Sequence, residues 1–241
     1  MSGKPVLTLD WCSHAAATYA VEHWHYAKIV PKGFPHVRVG VWEDACFIGC
    51  VLFGRGGCSE LLSPYGLTVV DGAELVRVAL RDHAWPVSRI VRIALRMLKN
   101  HCPGLRLIVS FADPVQGHTG SIYQAMGWVY TGCSSPDAYY LDAHGRKWHS
   151  RNVSESGIKL NYGRPTRSAK PSECTKVVTP GKHRYLYPLD AAMRAQILPL
   201  GQPYPKRAGS IASDAPPLQG GEGSAHLTPA LSDGLHIQDV H

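Results

Sequence analysis

Residues 105–112 read LRLIVSFA, and the chain then runs on as DPVQGHTGSIYQAMGW through residue 128. An apolar run of this length, rich in β-branched and aromatic residues, is a buried strand. The residues after it constrain the fold further. Pro114 stops a helix from starting at once, Gly117 and Gly120 permit left-handed backbone or a close approach, and GSIYQAM then reads as a helix closed by Gly127. A buried strand that turns through a polar, glycine-containing loop into a helix is a unit of an α/β fold. Ligands of such folds gather beyond the carboxyl ends of the strands.

The rest of the first 163 residues repeats the pattern. SHAAATYAVEHWH has helical period, and HVRVGVWED with ACFIGCVLFG predicts a hairpin turning at Glu43-Asp44. AELVRVALRD and WVYTGCS read as strands. VSRIVRIALRMLKNH reads as an amphipathic helix with Ser88 as its N-cap, Ile90, Ala94, Met97 and Leu98 on one face and Arg89, Arg92, Arg96 and Lys99 on the other. Those cations form either a solvated face or a phosphate-contacting stripe. Cys46 and Cys50 are read as small core residues sharing one strand face. The expected architecture is an α/β sandwich over residues 1–163.

Charge divides the remainder. The 241 residues carry a net charge of +7, and the segment from Ala208 onward has four acids, no aromatic residue, no Lys and no Arg. Such a segment cannot bury enough to offset its ordering entropy, so 208–241 is read as a disordered tail. Without it, 25 basic residues stand against 14 acidic ones. Residues 164–207 hold nine Lys or Arg with interleaved tyrosines, and are read as a basic C-terminal extension suited to a polyanion such as nucleic acid. Seven cysteines without disulfide or zinc spacing, no apolar leader and no membrane-length run point to a reduced, cytoplasmic protein.

Three clusters can carry chemistry. In the opening stretch, Asp113 and His118 can move a proton or bind a metal, and can equally be turn and loop residues. In EHWHYAKIVPKG, residues 22–33, His25 and Tyr26 at a helix end with Lys28 and Lys32 following can form a lip for a base, or simply a cap. His23 and His25 lack the i, i+4 spacing of a helical metal site. In GAELVRVAL, strict alternation puts Glu74 on one face and Leu75 with Arg77 on the other. A carboxylate and a guanidinium in an apolar strand are costly unless paired or functional.

Taken in order, His25-Tyr26 with Pro31, a hairpin, Glu74-Leu75-x-Arg77, and the block Ser110-x-Ala112-Asp113-x-x-x-Gly117-His118-x-Gly120-x-x-Tyr123-x-Ala125 resemble the Mom family of phage DNA-modification proteins. The resemblance spans roughly residues 10–205. It implies a mixed sheet flanked by helices, like that of the GCN5-related acetyltransferases. It implies transfer of a carbamoylmethyl group to the exocyclic amine of adenine in double-stranded DNA within the host cytoplasm, which shields phage DNA from restriction. It implies His25, Tyr26, Asp113 and Tyr123 as catalytic residues. Glu74, Arg77, Ser110, Gly117, His118 and Gly120 then hold the substrate or a small-molecule group donor, and Lys28, Lys32, Lys182 and Arg184 hold DNA. Iron, held by His25 and Asp113, is open for the family. Acetyl-CoA fits less well, because the loop RDHAWPVSR (residues 81–89), where that fold holds a pyrophosphate, has no glycine. The competing readings are a CoA-dependent N-acetyltransferase and a non-catalytic DNA-binding protein.

Overall fold

A computed structural model describes residues 3–32, 36–55, 59–161 and 163–206. The segment read as a tail, and Arg207, lie outside the described residues. The chain folds as mixed α/β. Its main sheet has seven strands: β1 (Leu7–Trp11), β2 (His36–Glu43), β3 (Cys46–Gly54), β4 (Gly72–Leu80), β5 (Leu107–Ala112), β6 (Val129–Cys133) and a late strand, β12 (His183–Pro188). Their order is β1-β2-β3-β4-β5-β12-β6, with every neighbour antiparallel except the parallel pair β4–β5.

Helices cover both faces. Helix α1 (His14–Trp24), capped by Ser13 through the Ala16 N–H, buries Ala17, Ala20 and Val21 against Cys50, Leu52 and Ala79. Helix α2 (Val87–His101) lies on the opposite face and buries Ile90, Val91, Ala94, Leu95 and Leu98 among Val51, Phe53 and Ile108. Its cap position is Pro86 with no side-chain bond, so Ser88 is not the N-cap. Pro86 presets the entry angle instead. A single helical turn, α3 (Ser121–Gln124), replaces the longer helix read from GSIYQAM, and Gly127 (φ 71°) ends the segment.

Two bulges overturn the simple alternation. In β4, Arg77 pairs with Leu52 and Leu75 with Phe53, leaving Val76 as the extra residue. Leu75 and Val78 therefore face α2, whereas Arg77 shares the α1 side with Ala79. In β3 the register shifts between Val41 and Trp42 of its partner strand, and Cys46 is exposed while Cys50 is buried. The β2–β3 turn falls at Asp44-Ala45 rather than at Glu43-Asp44, because Glu43 still belongs to β2, and both turn residues have the positive φ of a type I′ hairpin.

The expected appendage at 164–207 is corrected by the sheet. β12 sits between β5 and β6, and Tyr185 and Leu186 alternate into the two buried faces. Helix α4 (Ala191–Ile197), capped by Asp190, covers the face that Leu186 joins. The boundary at residue 163 falls within a hairpin, β9 (Ile158–Asn161) with β10 (Arg164–Arg167). That hairpin belongs to an insertion between β6 and β12. The insertion also contains a three-stranded sheet, β7 (Asp137–Asp142), β8 (Lys147–His149) and β11 (Cys174–Thr179), in the order β11-β7-β8. No helix among the described residues is long and apolar enough to cross a membrane.

Candidate functional site

The parallel strands β4 and β5 pair only from Gly72–Leu107 to Glu74–Val109. Beyond that point their register ends, and a cavity of about 480 Å³ opens with both strands in its walls. This volume lies in the range of small-molecule sites. Its lining draws on three places: Trp24, His25 and Tyr26 at the end of α1, Leu75 to Val78 on β4, and Phe111 and Ala112 at the end of β5 with Gly117 to Tyr123 beyond it. All three sequence clusters thus meet at one cleft beyond the carboxyl end of β5.

The floor is buried. Ser110 Oγ donates to the Leu75 carbonyl (2.9 Å) and hydrogen-bonds with the Tyr123 hydroxyl (2.7 Å), tying the diverging strands together. Burial pushes the Tyr123 phenol up to about 12, so at neutral pH it is a hydrogen-bond donor. Its ring packs against Trp128 and Tyr185. Tyr185 fixes the loop above: its hydroxyl donates to the Thr119 carbonyl, and Gln124 Nε2 donates to both groups. Gly120 has φ 77°, and a Cβ there would lie 2.3 Å from the Tyr185 ring. Gly117 shares the positive φ but has open space around it.

The rim is aromatic. Tyr26 is 48% exposed, its ring meets His118 edge-on at 5.3 Å, and it lies 4.3 Å from the ring of His25. Burial raises the Tyr26 phenol, followed by the negative charge of Asp113, with Arg77 acting in the opposite direction. His25 is lowered to about 4, chiefly by burial and then by the nearby charges of Arg77, His118 and Lys28. His25 Nδ1 accepts the Ala27 N–H at 3.0 Å. The neutral ring therefore carries its proton on Nε2. Arg77 is partly buried, which lowers it, and it donates to the carbonyls of Val76 (2.7 Å) and Ile29 (3.4 Å). It thereby holds the segment after α1 to β4.

The remaining expected residues stand apart. Asp113 does not line the cavity. It caps the turn at Pro114–Gln116 by accepting the Val115 N–H (3.0 Å) and lies 3.5 Å from Lys182 Nζ, in a neighbouring cleft. Glu74 sits at the last position of β4 that pairs with β5, outside the cavity wall. Lys28 has a positive φ and donates through Nζ to the His23 carbonyl at the end of α1. Lys32 is exposed, and Arg184 is half-buried in β12, opposite Phe111. Sequence reasoning does not single out Trp24, Phe111, Thr119 or Tyr185. The one signal for Tyr185 is its place as an aromatic among the basic residues of KHRYLYP.

The sequence leaves the group donor open, with iron possible and acetyl-CoA disfavoured. The backbone N–H groups of Ala84 and Trp85, just before α2, both donate to the Glu43 carboxylate at 2.9–3.1 Å. The loop between β4 and α2 is thus tied back by an anion of the chain's own. Among the described residues no group of three or more His, Cys, Asp or Glu is arranged to hold a metal ion. His25 Nδ1 is taken by the Ala27 N–H.

Fold and cleft define an α/β protein with a ligand cavity between two diverging parallel strands, rimmed by aromatic and imidazole rings. The chain belongs to the Mom protein family, whose model matches residues 6–206. This is the family of phage DNA-modification proteins that the sequence resembles. No curated protein matches the chain. Among solved structures, a protein named as a putative acetyltransferase from Acinetobacter baylyi matches with a TM-score of 0.43 at 9% identity, over 79% of this chain and 96% of that one. That likeness is too distant to carry an argument.

Proposed function

We propose that the protein transfers a carbamoylmethyl group to the exocyclic amine of adenine in phage DNA, and so evades restriction. The observation that carries this reading is the layered cavity, with exposed rings at the rim and a buried hydroxyl pair at the floor, in a member of this family. A base inside a duplex is hidden, so the adenine is flipped out to enter, and Tyr26 with His118 offers it a stacking rim. Arg77 and the Ser110–Tyr123 pair hold the small-group donor. The amine is a poor nucleophile because its lone pair is delocalised; as the new N–C bond forms, the bond between the carbamoylmethyl carbon and its donor breaks, the donor leaves with that electron pair, and the amine loses a proton.

The acceptor of that proton is Asp113 rather than His25. His25 in its neutral form offers an N–H, not a lone pair, because Nδ1 is already bonded. Asp113 stands close enough to the rim for its charge to be felt at Tyr26. The Glu43 bond to the Ala84 and Trp85 amides speaks against an acetyl-CoA donor, so no step is assigned to CoA, and none to iron. The test is to express the chain in a bacterium, digest its DNA to nucleosides and analyse them by mass spectrometry. A deoxyadenosine heavier by one carbamoylmethyl group is expected. Unmodified adenine in cells with abundant folded protein would overturn the reading.

A further inference from the structure

The insertion between β6 and β12 extends the site outward. Phe111 lines both the β4–β5 cavity and a larger cleft of about 1010 Å³, which is bounded by Asp113, Lys182, Lys147, His149 and Arg151. Arg151 in turn lines a third, small cavity of about 250 Å³ together with Asn152, Lys159, Thr166, Arg167 and Ser168. Three hollows are therefore linked in a row through shared residues, with aromatic and hydroxyl groups at one end and cations with hydroxyls at the other.

The small cavity is held in shape by its own bonds. Lys159 Nζ donates to the Arg151 carbonyl, Thr166 Oγ1 donates to the Lys159 carbonyl at 2.9 Å, and the Ser168 and Ser154 hydroxyls meet at 3.0 Å. Residues 136–179 carry eight Lys or Arg against four acids. The acids are largely engaged within the insertion. Asp142 accepts the Trp148 indole and the His144 and Arg146 N–H groups, and Glu173 pairs with Lys170 at 3.4 Å. Among the described residues no carboxylate is within ion-pair distance of Arg151, Lys159 or Arg167. The basic stripe of α2 is different. There Arg89 lies over the Trp85 ring at 4.2 Å, Lys99 donates to the Pro103 and Leu105 carbonyls, and no residue of the stripe lines any of the three hollows.

We propose that Arg151, Lys159 and Arg167 form a phosphodiester site that grips the duplex backbone while a base from the same duplex occupies the β4–β5 cavity. This inference rests on the DNA-modification reading. Cations free of carboxylate partners release condensed counterions when they meet phosphates, so each contact adds to the salt dependence of binding. Planar guanidinium groups suit phosphate oxygens, and the flanking hydroxyls supply further donors.

Full-length Arg151→Gln and Arg167→Gln chains are titrated with a fluorescein-labelled duplex over a series of salt concentrations, alongside Arg96→Gln on the outer face of α2. Each of the first two variants should lower the slope of log affinity against log salt by about 1 and weaken all duplex sequences alike, and Arg96→Gln should match the parent. Melting curves identify any variant that has lost its fold. In that case Lys159→Gln, at the third cation of the site, replaces it with the same expected loss of slope. Unchanged slopes and affinities, in a parent that binds and modifies DNA, would overturn this site and leave the function standing. A parent that binds no duplex would bring down both.

Discussion

The two walls of the cavity are built differently. The wall after β5 is held by contacts far apart in sequence: Tyr185 reaches back to Thr119, Gln124 bonds both, and Ser110 joins Tyr123 to Leu75. The wall after α1 is held mostly by its neighbours: Ala27 to His25 and Lys28 to His25 and His23, with the longer reaches of Arg77 to Ile29 and of the His118 ring to Tyr26. One wall is part of the core, with Gly120, Tyr123 and Tyr185 buried, and the other is a lip, with Tyr26, Lys28 and Ile29 exposed. A reacting floor gains from rigidity because developing charge must meet donors already in place. A rim that admits a flipped base must yield, and locally bonded segments open at low free-energy cost.

The sharpest way to break the rigid wall is Gly120→Ala. The left-handed backbone and the collision with the Tyr185 ring together cost about 2–5 kcal/mol. Thermal melting should fall steeply and modification should vanish. Gly117→Ala meets no neighbour and should cost only about 1–2 kcal/mol. If the two variants melt alike, Tyr185 does not enforce the loop.

Tyr123→Phe keeps the ring but removes the hydroxyl that meets Ser110. Modification should fall on the order of 10²-fold, as for a lost donor at a reacting centre. Stability should fall by about 1 kcal/mol. Equal losses in both would make Tyr123 a packing residue.

Asp113→Asn separates capping from proton transfer. Asn caps about as well as Asp, so the melting temperature should stay within a few degrees while modification is lost. Near-parental modification by the folded Asn variant would confine Asp113 to its turn.

The smallest expected effect lies on the lip. His25 titrates near 6.5 when unfolded and at about 4 when folded. Protons therefore favour the unfolded chain between those values, and the stability that the neutral ring contributes is present above 6.5 and lost as pH falls towards 4. A His25→Gln chain should lose less melting temperature between pH 7 and pH 4.5 than its parent. Parallel melting curves would show that His25 is not desolvated in the folded protein.

Much of this protein is legible in its amino-acid sequence. The apolar run at 107–112 has to be a buried strand, and the positive-φ demand at Gly117 and Gly120 marks the loop. The three clusters around His25, Arg77 and Asp113 carry the family resemblance. These are local signals, set by side-chain period, backbone sterics and residue chemistry. What the sequence leaves open depends on partners distant in the chain. Alternation cannot reveal the bulge at Val76, because the extra residue is defined only by pairing with Leu52 and Phe53. Composition makes residues 164–207 look like an appendage, because Lys and Arg far outnumber the acids there, and only pairing with β5 and β6 makes β12 a core strand. The Glu43 carboxylate is an ordinary hairpin residue until the fold sets it against two amides from 41 and 42 residues further along the chain. Asp113 likewise meets Lys182, almost seventy residues further along the chain, only in the folded protein, in the cleft next to the cavity. Local sequence chose the pieces, and long-range hydrogen bonding and burial decided which of them face the same cleft.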